Sequence, residues 1–343
     1  MTSARAKSAF WMNRHALPFP SRKQSADWKA KQPDNRLEAF QHTKAGLRPR
    51  LTCFYPTYGF LVFLVLAIVL AATPTAYART LKIATWNMDW LVDENQPPAQ
   101  PLPSDIPHRN AADFTALAGY ARSLDADIIG VQEVDAIPSL SRVFPPGQYQ
   151  LFLSGDHVTQ HTGIAIRQGL TVTRNPDVTE LDVSAGAPHP LRSGLDLTVH
   201  EGSTSLRVLV VHLKTGCWDN PPEERKHACP VLFQQFSALK NWIAARQNAK
   251  DAFLIMGDFN RRLTPHDPLF LSLLQSGPLR LTTAGHASPC EGGTYFIDHI
   301  LLGGPAMHWE EKNSLRVLVY QGTDQAILSD HCPVSLRLTI PSK

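Results

Sequence analysis

The sequence predicts an α+β fold, a four-layer sandwich of two packed, mainly antiparallel β-sheets flanked by helices. Three observations predict it. Short β-prone apolar runs recur from Leu81 to Ile340, helical periodicity is confined to a few stretches, and no compositional break interrupts residues 79–343. Many strands with few crossover helices bury themselves as sheet on sheet, with helices outside. A single domain of this length is ordinary.

The elements follow in order. Leu81–Trp86 (LKIATW) is a first strand, and a polar, Pro-rich loop runs from Asp93 to Pro107. Asn110 has the character of an N-cap for a helix ending at Leu124, whose apolar face is Phe114, Leu117, Ala118, Ala121 and Leu124. Asp127–Gln132 (DIIGVQ) is a buried strand. Further strands are expected at Tyr149–Leu153, Gly163–Arg167, Leu195–His200 and Leu206–Leu213. An amphipathic helix covers Val231–Gln247 and leads into the strand Ala252–Met256, which ends at Gly257. Phe296–Leu302, Leu315–Tyr320 and Pro333–Ile340 complete the set, and no internal repeat is visible.

Ahead of this domain, Leu51–Ala78 holds no charged residue, and Gly59–Ala72 within it is densely apolar. That run is shorter than the roughly 20 residues of a membrane span and fits the core of a signal peptide. Lys44, Arg48 and Arg50 precede it, and Ala76-Tyr77-Ala78 forms a cleavage site of A-x-A type. Cleavage would make Arg79 the first mature residue and the protein secreted or periplasmic. The alternative is an uncleaved membrane anchor at residues 59–72. Residues 1–50 are polar, Pro-containing and unpatterned, a segment expected to be disordered and long for a signal-peptide n-region.

Net charge is +3 overall, yet residues 79–343 carry 22 basic against 27 acidic side chains. A domain that binds nucleic acid through bulk positive charge is thereby disfavoured. An acidic enzyme can still act on phosphodiesters where a metal ion supplies local positive charge. Four cysteines follow the leader: Cys217, Cys229, Cys290 and Cys332. An even number after export points to disulfides. Cys217 and Cys229 bracket a short Pro-rich, charged loop, whose closure would contribute about 3 kcal/mol. Cys290 and Cys332 remain to pair, and buried free thiols are the alternative for any of the four.

The chemistry-bearing residues collect at strand ends: TWNMDWL (Asn87, Asp89), VQEV (Glu133), VVHLKTG (His212, Lys214), MGDFN (Asp258, Asn260), FIDHI (Asp298, His299) and SDHCPV (Asp330, His331). Rigid strands delivering loops to one edge are a common way to build a site. Carboxylate and amide oxygens suit a hard cation, Mg²⁺ or Mn²⁺, better than zinc.

This ordered set, from about Leu81 to Leu338, resembles the endonuclease/exonuclease/phosphatase superfamily. The resemblance implies metal-assisted hydrolysis of a phosphate ester and a role for each matching residue. Glu133 is similar to the principal metal carboxylate, with Asn87 beside it, and Asp330 to a metal-site or water-orienting acid. Asp258 and Asn260 resemble the pair that activates and positions the attacking water. His331 resembles the imidazole at the scissile phosphate, and Asp298 its orienting partner. His212 matches a second imidazole of deoxyribonuclease-like and sphingomyelinase-like branches, for which no orienting acid is identifiable. Arg192 in HPLRSGLDL stands where relatives place a phosphate-binding arginine, or is a surface residue. Lys214, Arg261 and Arg262 are further cationic candidates, with solvated surface as the default reading. Asp89 is similar to an acidic position in part of the family or is a solvated turn residue. His161, His299 and Trp218 lie near motifs without an assigned role.

The substrate expected first is DNA or RNA, cleaved by a monomer with no stable protein partner. A phospholipid or sphingomyelin phosphodiesterase and a small-molecule phosphatase are the alternatives. A non-catalytic binding module on the same fold is the rival from another class, but it should have lost some of Glu133, Asp258, Asn260, Asp298 and His331, and all five are present.

Overall fold

The computed structural model describes residues 78–95, 102, 106, 108–187, 190–221, 223–226, 228–290, 292–324 and 328–341. The N-terminal extension and the leader up to residue 77 lie outside the described residues, as does most of the loop between Asp93 and Pro107. No described helix is long and apolar enough to cross a membrane.

Twelve strands among the described residues form two sheets of six. The first contains β1 (Arg79–Leu91), β2 (Ile128–Val134), β3 (Tyr149–Leu153), β4 (His161–Arg167), β11 (Arg316–Val317) and β12 (Val334–Ile340), in the order β11-β12-β1-β2-β4-β3. The second contains β5 (Thr171–Arg174), β6 (Leu195–Glu201), β7 (Thr204–His212), β8 (Phe253–Asp258), β9 (Leu279–Leu281) and β10 (Asp298–Gly303), in the order β5-β6-β7-β8-β10-β9. Helix α1 (Ala111–Leu124) connects β1 to β2, and α3 (Cys229–Ala249) connects β7 to β8. Two shorter helices, α2 (Ile137–Val143) and α4 (Pro268–Leu274), follow β2 and β8.

Antiparallel pairing predominates, as the sequence predicts, but each sheet has a parallel pair at its centre, β1 with β2 and β7 with β8. A parallel pair needs a crossover, and α1 and α3 are those crossovers. The two sheets therefore follow one plan, although the sequence shows no repeat.

Both faces of each sheet are covered. In β1, Leu81 and Ile83 belong to the core between the sheets, which the second sheet supplies with Val208, Leu254 and Met256. Ala84 and Trp86 belong to a separate cluster with Phe114 and Leu117 of α1. The second sheet buries Leu209, Val211 and Ile255 against Leu232, Phe236 and Leu239 of α3. This alternation produces the four layers.

Local chemistry defines the helix ends. Asn110 accepts from the backbone N–H of Ala112 (2.8 Å) and Asp113 (3.1 Å), and Asp113 accepts in return from Asn110 N–H (3.0 Å). Such caps contribute about 1 kcal/mol. Helices α2 and α4 are seven residues each, too short to show a helical period, but each carries Pro in its first turn. Asp267 caps α4 through Leu269 and Phe270 N–H.

Cys217 is bridged to Cys229, the first residue of α3, and Cys290 to Cys332. Alkylation in denaturant without reductant is therefore expected to label none of these four, as read by peptide mass mapping. A label on Cys217 or Cys229 would disprove that bridge.

Candidate active site

The predicted motifs end at one edge of the sandwich because of strand register. Asn87 lies beside Gln132 across β1 and β2, and His212 beside Asp258 across β7 and β8. Asp298 faces Asp258 across β10 and β8. His331 precedes β12, which pairs with β1 up to Thr85–Val334.

Irregular backbone then aims the side chains. The register slips in β1 between Asn87 and Leu91 and in β2 between Gln132 and Val134. Glu133 sits in the slipped segment at φ 63°, and Asn260, just past β8, at φ 48°. Left-handed backbone at a non-glycine residue costs on the order of 1 kcal/mol or more, and it occurs here at two of the proposed site residues. Gly257 has φ 147°, and a Cβ there would lie 1.9 Å from Val211 O. Only glycine allows β7 and β8 to bring His212 and Asp258 together at that point.

Asp258 is the centre of the network and is 1% exposed. Its Oδ1 accepts from Asn260 N–H (2.7 Å), and its Oδ2 from the side-chain amides of Asn260 (3.0 Å) and Asn87 (3.1 Å). Asn260 also donates to Leu213 O at 3.0 Å. Asn87 Nδ2 reaches Glu133 Oε1 at 3.1 Å, and Glu133 Oε2 accepts from Trp90 N–H at 3.2 Å. Burial, with Asp298 and Glu133 nearby, raises the Asp258 carboxyl to about 7 despite the opposing pull of His331.

Two imidazoles flank this carboxylate, His212 Nε2 at 3.7 Å and His331 Nε2 at 3.9 Å from Oδ2. Their surroundings differ. His331 Nδ1 bonds to Asp298 Oδ2 at 2.7 Å. Burial opposes its protonation, but Asp298, Asp258 and Asp330 outweigh burial and raise its pKa well above the usual histidine value. Among the described residues no acid bonds to His212 Nδ1. Arg192, itself buried, donates there from Nε (3.2 Å) and Nη2 (2.9 Å). Nη2 also lies 3.2 Å from Nε2, but arginine has no acceptor, so Nδ1 must accept and Nε2 carries the proton of the neutral ring. Burial, then Arg192, His331 and Lys214, lower the pKa of His212 well below its usual value.

The other predicted residues lie around this centre. Asp330 stands on the rim, 78% exposed, with Oδ1 3.7 Å from His331 Nε2. Lys214 turns its ammonium to Thr215 O at 3.2 Å. Asp89 lies 3.5 Å from the buried Arg109, and burial with Asp330 and Glu133 nearby raises its carboxyl to about 6. Arg261 is buried rather than solvated, binding Asp267 at 2.6 Å and Asn220 O at 2.7 Å. It thereby clamps the disulfide loop to the start of α4. His299 is also structural, held between Thr283 Oγ1 and Arg261 O, with burial lowering its pKa to about 4. His161 contacts Ser154 Oγ at 3.3 Å.

Two supporting residues escape sequence reasoning. Ser329 donates to Asn87 O (2.8 Å) and accepts from His331 N–H (3.0 Å), tying the histidine loop to β1. Asp156 holds Ser193 through its N–H (2.8 Å) and hydroxyl (2.6 Å), beside Arg192. The first lies within a recognised motif, whereas the second has no sequence signal.

The donor set fits a hard divalent cation. Carboxylates and amides predominate, Asp258, Asp298 and Glu133 lie close enough to raise one another's charge cost on top of burial, and Asp298 Oδ1 is buried with no partner among the described residues. Donor atoms of Asp258, Asp298 and His331 lie within 4.8 Å of one another. An ion held by all three would compete with the His331–Asp298 hydrogen bond, whereas Glu133 and Asn87 offer oxygens without breaking it.

The site is thus a buried carboxylate between two differently tuned imidazoles at one edge of a four-layer sandwich. The sequence profile of the Endonuclease/Exonuclease/phosphatase family matches residues 84–331, and the chain belongs to that family. Its members are typically metal-dependent phosphoesterases. Among curated protein sequences nothing matches. Of solved structures, truncated Caenorhabditis elegans TDP2 is similar at 16% identity and TM-score 0.53, over 77% of this chain and 99% of that one. An endonuclease/exonuclease/phosphatase from Bacteroides vulgatus is similar at 15% identity and TM-score 0.51, over 77% and 100%. At these identities the likeness concerns the fold.

Proposed function

We propose that this chain is an exported, Mg²⁺- or Mn²⁺-dependent phosphodiesterase that acts as a monomer and whose substrate is nucleic acid. The observation that carries the reading is Asp258, a buried carboxylate near neutral pKa within 4 Å of both His212 and His331. A general base is most effective when its pKa lies near the working pH.

Asp258 takes the proton of the attacking water, which the Asn260 amide holds in place. His331, kept protonated by Asp298, gives its proton to the leaving oxygen as the phosphorus–oxygen bond breaks. His212 donates from Nε2 to a phosphoryl oxygen, Arg192 locks that tautomer, and Arg192 and Lys214 contribute positive charge towards the phosphate. Glu133 and Asn87, with Asp330 at the rim, would hold the cation, whose chemistry when bound would be to polarise the phosphoryl group. Export is supported by the two disulfides, which persist in oxidising compartments.

The test uses the full-length protein on plasmid DNA, RNA, sphingomyelin and a generic phosphodiester. Cleavage of DNA or RNA is expected, lost in EDTA and restored by Mg²⁺ or Mn²⁺. Full activity in chelator excludes the cation. Turnover of the lipid alone moves the substrate to the phospholipid class, and a folded, metal-binding protein inert on every substrate would favour a binding module.

A further inference from the structure

Trp218 is 37% exposed, a large apolar surface left open in a loop that bridges to Arg261, the residue after Asn260. Single exposed apolar residues are common and need no explanation by themselves. This one is held in place by four features. Its backbone adopts φ 49°, in the left-handed region. Its neighbour Cys217 is fixed by the disulfide to Cys229. It forms an isolated bridge with Arg261, and its carbonyl accepts from Arg262 N–H at 3.3 Å. Arg262 in turn lies over the indole, its guanidinium carbon 5.5 Å from the ring centroid.

The position relates directly to the catalytic segment. Arg261 and Arg262 follow Asn260 without interruption. The loop carrying Trp218 begins at Leu213, whose carbonyl accepts from Asn260 and whose N–H donates to Asp258 O at 2.9 Å. Arg262 Nε is buried without a hydrogen-bond partner among the described residues, and its head group stays 3.8 Å from the exposed Asp219. An ordered indole with a guanidinium at its face, next to a phosphoester-cleaving segment, matches what a planar base and its backbone phosphate require. Bases stack on aromatic side chains irrespective of sequence, and arginine adds a cation–π contribution.

We propose that Trp218 and Arg262 form a stacking platform for one nucleobase of a single-stranded nucleic acid, flanking the scissile phosphate. This rests on the phosphodiesterase reading above and adds to it a subsite that recognises bases. The platform makes no hydrogen-bonded base readout, so it selects for the presence of a base and not for its identity.

The test separates the platform from catalysis. Binding is measured by fluorescence anisotropy on the full-length Asp258→Asn protein, with a labelled single-stranded oligonucleotide and an otherwise identical strand of abasic sugar-phosphates. Adding Trp218→Ala is expected to weaken binding of the base-bearing strand about 10-fold and leave the abasic strand unchanged. Trp218→Phe should retain most of the affinity, which also controls for misfolding. Equal losses on both strands, no loss on either, or no binding of the base-bearing strand before Trp218 is changed would overturn the proposal. If bases bind through Trp218 yet the wild-type protein cleaves neither DNA nor RNA, the nuclease reading fails while the platform stands.

Discussion

Asp258→Asn is expected to lower kcat by about 10²- to 10⁴-fold and yet to yield a protein that melts at a higher temperature than wild type above pH 7. The first half follows from position. Asp258 is the acceptor at the centre of the cluster, bonded to Asn260 and Asn87 and adjacent to both imidazoles. An amide cannot take the proton of the attacking water. The second half follows from linkage. Burial raises this carboxyl from 3.8 to about 7, so between those values the unfolded chain has released a proton that the folded chain retains. Stability at this position therefore falls as pH rises through that window, and the full penalty is present above about 7. Asparagine removes the charge and can still accept from Asn260 N–H, but its amide nitrogen then faces the Asn260 and Asn87 amides from which Oδ2 accepts, a loss that is the same at every pH. The gain above pH 7 is what the lost charge contributes beyond that, a few degrees at about 2–4 °C for each kcal/mol, and should be gone near pH 4. Melting curves in chelator across pH 4–9, with steady-state kinetics alongside, test both halves. Retained turnover defeats the catalytic role, and a lower melting temperature at pH 8 defeats the account of the buried charge.

The pattern of such a site is legible in sequence wherever chemistry and strand end coincide. GDFN, IDHI and SDH each follow or open an apolar run, so Asp258, Asp298 and His331 can be placed at strand ends without any geometry. The α1 cap is legible because Asn110 and Asp113 have the spacing of a capping box. What stays hidden is set by contacts between distant residues. The left-handed turn at Glu133 arises where β2 slips against β4, and no residue near Glu133 announces it. The partner expected for His212 is an acid, and the fold supplies Arg192 instead, 20 residues upstream and brought close by β6 lying beside β7. Arg261 shows the same limit, since a charged residue beside a motif reads as solvated until Asp267 and Asn220 O close around it. The parallel pairs at the sheet centres are obscured because strands buried on both faces show continuous apolar runs whichever direction their neighbours take.

Asp298→Asn is the complementary experiment, because it leaves His331 in place and removes what keeps it charged. In the wild-type protein Asp298 Oδ2 lies 2.7 Å from His331 Nδ1, and this carboxylate with Asp258 and Asp330 overcomes the burial that would otherwise neutralise the ring. Without Asp298, burial is opposed only by Asp258 and Asp330, and the pKa of His331 falls. The expected result is a fall of about 10²- to 10⁴-fold in kcat/KM, with the alkaline limb of the pH profile moved to lower pH. Stability again falls as pH rises, as for a buried acid with a raised pKa, but here the term is a gain present at low pH and not a penalty present at high pH. A histidine whose folded pKa is raised contributes stability that is fully present below about 6.5 and is lost as pH rises through the folded value. The variant should therefore be least stable relative to wild type in mildly acidic solution and approach it at alkaline pH. A generic packing defect at the site would weaken the protein at every pH, so the slopes of the two variants distinguish charge tuning from structural damage. If the alkaline limb of Asp298→Asn stays where it is in wild type, His331 is not the group that protonates the leaving oxygen, and Asp258 must act with another acid.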